Sequence, residues 1–93
     1  MHIPVLEKET IDLLDPRPGE NFIDATVGHG GHAVKILERT APGGKVLGID
    51  QTFEQLETVK ERAKNFRERM ILAHGNFSNL KKIAEENNFS PVS

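Results

Sequence analysis

The stretch that decides the fold covers residues 22–50 and reads FIDATVGHGGHAVKILERTAPGGKVLGID. An apolar run ends in Asp24, a glycine-rich segment and a helix-like segment follow, and a second apolar run ends in Asp50. Strand, glycine loop, helix, strand and acid in this order are typical of a nucleotide-type cofactor site in a parallel α/β fold. The glycines let the backbone approach a ligand closely, and the start of the helix directs N–H groups towards it.

Apolar periodicity predicts that strands and helices continue to alternate outside this stretch. The predicted helices cover residues 5–14, 32–40, 53–67 and 79–87, and the predicted strands cover residues 22–25, 45–50 and 70–73. Thr52 and Gln55 form a capping-box pattern before the third helix, and Phe53 is expected to begin its buried stripe. Alternation of this kind predicts an α/β fold, the N-terminal half of a doubly wound Rossmann-like sheet with three parallel strands and flanking helices.

Length and composition restrict the chain to one small domain of 93 residues. Because no cysteine is present, disulfides and thiolate metal sites are excluded. The chain has neither an apolar run of about 20 residues, which a membrane span requires, nor a signal-peptide pattern. We therefore expect a cytoplasmic protein without a membrane partner. The net charge of −2 gives no basic footprint, so any RNA-binding surface is expected mostly outside these residues.

No strand follows the last predicted helix, although a doubly wound sheet would continue at this point. The first predicted strand would then form an apolar edge, which favours association between molecules. We therefore expect residues 1–93 to be an incomplete cofactor-binding domain that continues after Ser93. The oligomeric state does not follow from the sequence.

The glycine loop satisfies the pattern GxGxxG/A through Gly28, Gly30 and Ala33. Asp50 follows at about the 20-residue distance expected of a dinucleotide fingerprint. At the tip of a strand, Asp50 is suited to accept hydrogen bonds from both hydroxyls of a ribose. The alternatives are a glycine turn that binds no ligand and, for Asp50, an acid that the following helix dipole favours.

Asp24 distinguishes between two classes of cofactor. A carboxylate beside the loop repels a pyrophosphate but attracts a sulfonium or an ammonium group. Asp24 therefore favours S-adenosylmethionine over a dinucleotide. An NAD-binding half-domain of an oxidoreductase and a non-catalytic fragment stay open as alternatives. A purely structural role, in which Asp24 accepts N–H bonds from the loop, also stays open.

Histidine and phenylalanine side chains complete the set of candidates. His29 and His32 flank the glycines, but their spacing defines no metal site, so we predict no metal. His32 is expected in the first turn of the helix, where it shapes the loop or contacts the cofactor. His74 is expected to have an ordinary structural or surface role. Phe77, after the third predicted strand, is placed to stack on an adenine or to fill the core beneath the next helix, and the two roles are compatible.

Four segments together resemble the bacterial 16S ribosomal RNA (cytosine-N4)-methyltransferases across essentially the whole chain. The segments are HIPVL at 2–6, DATVGHGGH at 24–32, GID at 48–50 and HGNFSNL at 74–80. The resemblance implies S-adenosylmethionine as cofactor, a cytosine N4 amine of small-subunit ribosomal RNA as methyl acceptor, and a Rossmann-like methyltransferase fold. It implies cofactor contacts for the residues that match the family's motif, which are Gly30, Gly31, His32, Asp50 and Phe77.

The chain departs from the family in two respects. After GID the family carries RDP, whereas this chain has Gln51, Thr52 and Phe53, which changes the helix start but is expected to preserve the ribose contact. The family's DLGxSS segment, which supplies groups beside the target base, would begin beyond Ser93. We therefore name no catalytic residue among these 93 residues and expect the chain alone to be inactive.

Overall fold

The computed structural model describes residues 3–7, 11–28 and 30–89, except for the side chain of Asp12. The strands in these ranges are β1 (Val5–Leu6), β2 (Phe22–Asp24), β3 (Val46–Asp50) and β4 (Met70–His74). The helices are α1 (Ile11–Leu14), α2 (Gly31–Arg39), α3 (Phe53–Arg62) and α4 (Leu80–Glu86). All neighbouring strands are parallel, in the order β1-β2-β3-β4. The α/β class is confirmed, and the three predicted strands agree with the structure to within a residue at each end. The described sheet has four strands rather than the predicted three, because β1 adds to its edge. Within the described ranges, no helix is both long and apolar enough to cross a membrane.

The sheet separates two apolar clusters, because successive side chains of a strand point to opposite faces. Helices α1, α2 and α3 cover one face and α4 covers the other. Phe22 and Val46 belong to the first cluster, whereas Ile23 and Leu47 belong to the second. By this alternation Asp24 lies on the same face as Phe22, towards α2 and α3.

Strand β1 corrects two sequence predictions. Val5 and Leu6, predicted to begin a helix, are extended and pair in parallel with β2, and the part of the predicted helix that the structure describes as helical is Ile11–Leu14. Residues 8–10 lie outside the described part. The Ile23 N–H donates to the Pro4 carbonyl and the Ala25 N–H donates to the Leu6 carbonyl, each at 2.9 Å. The hydrogen bonds that these backbone N–H groups gain stabilise an extended β1 more than the local sequence pattern favours a helix. The prediction that β2 forms a bare apolar edge is therefore wrong, because β1 covers it.

The start of α3 also differs from its prediction. Thr52 occupies the N-cap position, but its side chain makes no capping hydrogen bond, so the predicted capping box does not form. Its hydroxyl donates instead to the Asp50 carboxylate, because a charged acceptor binds a donor more strongly than a neutral one. Phe53 is 68% exposed and does not join the buried stripe, which Leu56 and Val59 form within the helix. The helix ends at Arg62, and a 3-10 turn follows.

Candidate functional site

The residues predicted for the site follow strands β2, β3 and β4 at one edge of the sheet. The carboxyl ends of parallel strands meet at the same edge, where open α/β sheets bind ligands. Asp50 pairs in register with His74, and the Gly75 N–H donates to the Asp50 carbonyl at 3.0 Å. The structure places the whole predicted set at this edge, namely Asp24, Gly28, Gly30, Gly31, His32, Asp50 and Phe77. His29 lies outside the described residues.

The glycine loop folds back over β3 through Val27. The Val27 N–H donates to the Ile49 carbonyl at 2.9 Å, and the Val27 side chain is buried. A Cβ atom built on Gly48 would lie 2.9 Å from Val27 Cγ2 and 2.7 Å from Met70 Cε. Gly48 therefore provides the space into which Val27 packs, and this contact fixes the height of the loop above the sheet.

Gly28 and Gly30 give the loop its turn into α2. Their φ angles of 55° and 87° lie in the left-handed region, which glycine adopts at little cost. The Gly30 N–H donates to the Val27 carbonyl at 3.0 Å, and Gly30 is the N-cap of α2. Glycine at the N-cap has no side chain with which to cap the helix, and the backbone N–H groups of the first turn are directed towards the sheet edge. Gly31 and His32 are its first residues, and the His32 side chain is exposed.

The Asp50 carboxylate organises the centre of the site. Oδ2 accepts a hydrogen bond from the Gly28 N–H at 3.1 Å. Oδ1 accepts two more, from the Thr52 N–H and the Thr52 hydroxyl, both at 3.0 Å. A carboxylate offers about four acceptor positions, so about one stays open. A ribose that engages Asp50 through both hydroxyls would have to displace the Thr52 hydroxyl. This role of Thr52 was not predicted from the sequence, although its position two residues after Asp50 was a signal.

Asp24 is buried at the end of β2, where it is 5% exposed. Burial raises the pKa of its carboxyl from 3.8 to about 7; a hydrogen bond from the Thr26 backbone opposes this rise and the charge of Asp50 adds to it. Among the described residues, no ion pair joins Asp24 to a lysine, an arginine or a histidine. Asp24 thus accepts one hydrogen bond from the loop backbone, at Thr26, which agrees with the structural role considered as an alternative. An ionised Asp24 would still be a buried charge with no cationic partner in the described part of the chain, which is costly unless a ligand supplies a positive group.

Phe53 and His74 form a stacked pair that the sequence analysis did not predict. Their ring centroids are 4.0 Å apart and the planes differ by 8°. His74 Nε2 lies 2.9 Å from the Gln51 carbonyl oxygen, and it donates to that oxygen when it carries the proton. The pair therefore ties the end of β4 to the segment after Asp50. Phe77 is 45% exposed, so the alternative that it fills the core is wrong, and its ring is accessible.

Comparisons with known proteins agree with one another. The model of the MraW methylase family matches residues 1–93. The ribosomal RNA small subunit methyltransferase H of Syntrophotalea carbinolica is 44% identical over 91 residues, which are 98% of this chain and 29% of that protein. The protein of the same name from Symbiobacterium thermophilum is 43% identical over 84 residues, which are 90% of this chain and 26% of that protein. The chain therefore spans less than a third of the length of these relatives.

A solved structure shares the fold at low sequence identity. It is the crystal structure of a Clostridium thermocellum protein that is provisionally named an rRNA-methylase. Its TM-score to this chain is 0.69 at 18% identity, and the match covers 81% of this chain and 45% of that one. At this identity the likeness supports the Rossmann-like architecture and carries nothing about the substrate.

Proposed function

Because the chain belongs to the MraW methylase family, we propose that it forms the cofactor-binding part of an S-adenosylmethionine-dependent methyltransferase of small-subunit ribosomal RNA. The names of the relatives, which are ribosomal RNA small subunit methyltransferases H, support the substrate class. One observation supports the cofactor above the others. Asp24 is a buried carboxyl beside the glycine loop, without a cation among the described residues. This environment suits a positively charged ligand group and opposes a pyrophosphate, which disfavours an NAD-binding module.

Each residue of the site has a role in this proposal. Asp50 holds the ribose, because its carboxylate faces the glycine loop and keeps an open acceptor position. Gly30, Gly31 and His32 begin α2, and the N–H groups of a helix start suit the carboxylate of the methionine moiety. Phe77 offers an accessible ring to the adenine. Gly28 keeps the loop backbone close to the ligand.

Bound S-adenosylmethionine supplies an electrophilic methyl group on a sulfonium. The residues of this chain orient and hold the cofactor, and such alignment of a nucleophile with its target can lower the barrier by several kcal/mol, about 7–11 for ideal cases. We assign no catalytic residue within residues 1–93. Contacts with RNA are proposed to lie mostly outside this chain. Because ribosomal RNA is a cytoplasmic substrate, we also propose a cytoplasmic location.

The proposed methyl acceptor is the exocyclic N4 amine of a cytosine. This specificity rests on the resemblance of the four sequence segments given above. Incubating the complete natural protein with unmethylated small ribosomal subunits and labelled S-adenosylmethionine tests it. We expect labelled N4-methylcytidine after nuclease digestion and nucleoside chromatography. Label in any other nucleoside would contradict the cytosine-N4 assignment and leave the cofactor assignment intact.

Calorimetric titration of the complete natural protein tests the cofactor assignment. We expect S-adenosylmethionine and S-adenosylhomocysteine to bind and NAD not to bind. Asp50→Asn should weaken S-adenosylmethionine binding about 10- to 100-fold, because a hydrogen bond to a charged group contributes about 1.5–3 kcal/mol. Glu57→Gln, on the exposed side of α3, is the matched control and should leave affinity unchanged. Tight NAD binding, or equal affinity of Asp50→Asn and the natural protein, would refute the assignment.

A further inference from the structure

Asp24 and Asp50 meet opposite environments at the same edge of the sheet. Asp50 is partly exposed and accepts hydrogen bonds from two backbone N–H groups and one hydroxyl. Asp24 is almost fully buried, and a hydrogen bond reaches it from the Thr26 backbone. Its register partners are Leu6 on one side and Gly48 on the other, neither of which carries a charge.

Within residues 3–7, 11–28 and 30–89, the other titratable groups near Asp24 are exposed to solvent. On α2 they are exposed, namely His32, Lys35, Glu38 and Arg39, and only the apolar side of this helix covers the sheet. The charged residues of α3 are likewise exposed, as is Glu7 after β1. Among the described residues, the one charge that acts on Asp24 is the negative charge of Asp50. An ionised Asp24 therefore creates a strong local demand for a positive group.

We propose that Asp24 is a specificity-determining residue that distinguishes S-adenosylmethionine from S-adenosylhomocysteine, and that S-adenosylmethionine displaces a proton from this carboxyl into solvent. The proposal rests on the proposed function. The two ligands share the adenosine, the ammonium and the carboxylate, but only S-adenosylmethionine has a positive sulfur. A carboxylate that responds to this sulfur favours the cofactor over the product. When the product with its neutral sulfur occupies the site, the protonation of the carboxyl stays as it is in the ligand-free protein at the same pH.

The pKa of Asp24 fixes the pH range in which this discrimination appears. With a pKa of about 7, the carboxyl in the ligand-free protein is largely protonated at pH 6 and largely ionised at pH 8. Binding of a cation then requires removal of close to one proton at pH 6 and of almost none at pH 8. The affinity for S-adenosylmethionine should accordingly rise about tenfold from pH 6 to pH 8. The affinity for S-adenosylhomocysteine should change by less than about twofold, because this ligand places no charge on its sulfur.

Calorimetric titrations of the complete natural protein at pH 6, 7 and 8 test the proposal. Two buffers with different ionisation enthalpies report the number of protons released. The ligands are S-adenosylmethionine, S-adenosylhomocysteine and sinefungin, which carries an amine in place of the sulfonium. We expect proton release and the tenfold pH dependence for the two ligands with a cation at this position. Asp24→Asn should abolish both effects, whereas Glu57→Gln should retain both.

Equal pH dependence for S-adenosylmethionine and S-adenosylhomocysteine would overturn the proposal, because Asp24 would then respond to the ammonium that both ligands share. Absence of proton release from the natural protein at pH 6 would overturn it without the use of any variant. Persistence of the pH dependence in Asp24→Asn would also overturn it. Failure of both adenosyl ligands to bind would instead refute the proposed function, so the two failures can be distinguished.

Discussion

Replacing Asp24 with asparagine should change how the stability of the ligand-free protein depends on pH. The carboxyl has a pKa of 3.8 in an unfolded chain and of about 7 in the fold. Between these values the folded protein binds more protons than the unfolded chain, so stability falls as pH rises through this range. Above about pH 8 the ionised carboxyl destabilises the fold by at most about 4 kcal/mol, since one pKa unit corresponds to about 1.4 kcal/mol.

The part of this penalty that develops between pH 5 and pH 8 is about 2.5 kcal/mol. Asparagine has nearly the same shape and does not titrate. The difference in free energy of unfolding between Asp24→Asn and the natural protein should therefore shift by about 2.5 kcal/mol in favour of the variant over this range. Comparing the variant with the natural protein at each pH cancels the titration of all other groups.

Urea unfolding of the complete natural protein and the variant at pH 5, 6, 7 and 8 measures this difference. The natural protein should lose stability relative to the variant mainly between pH 5 and pH 7, with little further change above pH 8. Asp15→Asn, at an exposed surface ion pair, should give a profile parallel to that of the natural protein. Parallel profiles for Asp24→Asn and the natural protein would refute the burial of an Asp24 carboxyl that has no cation among the described residues.

Further substitutions test the loop, the ribose acceptor and the aromatic pair. In urea unfolding, Gly48→Ala should destabilise the protein by about 1–3 kcal/mol, because the added methyl group enters space that Val27 of the loop fills. The same variant should bind S-adenosylmethionine more weakly. Gly43→Ala is the control and should change neither property, because no atom lies within 4 Å of its added methyl group. Thr52→Val should strengthen S-adenosylmethionine binding in calorimetry about twofold or more, since a ribose hydroxyl no longer competes for the acceptor; weaker binding would contradict this. A double-mutant cycle of Phe53→Ala and His74→Ala should give a coupling energy of about 0.5–1.5 kcal/mol in urea unfolding, and additive effects would show that the stack stabilises nothing.

The sequence predicted the central strands, because their signals are local. Apolar runs mark β2, β3 and β4; proline and glycine precede the first two, and Gly75 follows the third. Parallel pairing then brings the residues that follow these strands to one edge. Strand order and parallel pairing alone therefore predict that Asp24, Asp50 and Phe77 lie at the same edge. The positions of these residues along the chain do not depend on side-chain packing, so they could be predicted from the sequence.

Strand β1 was not predictable in this way, because two residues show no periodicity. Val5 and Leu6 are extended because β2 presents backbone donors that need partners, and these donors appear only once the sheet exists. Thr52 and Phe53 were misassigned for a related reason. Local rules assign a threonine to the helix cap and a phenylalanine to the apolar stripe. In the fold, the Thr52 hydroxyl donates a hydrogen bond to the Asp50 carboxylate, and the Phe53 ring stacks on His74.

Strand β1, which was not predicted from the sequence, also contributes to the burial of Asp24. β1 pairs with β2 on one side of this residue, through Leu6, and the turn over Gly48 brings the buried Val27 close on the other side. An acid at a bare strand edge would be hydrated and would titrate near its ordinary value, because water stabilises the charged form. Burial raises the pKa of Asp24, and β1 is the strand that pairs beside it through Leu6. The sequence could identify Asp24 as an acid of the site, but its protonation depends on a contact made by the neighbouring strand. Substitutions that loosen β1, such as Leu6→Ala, should therefore lower the pKa of Asp24 and reduce the pH dependence of cofactor affinity without any change at the site itself.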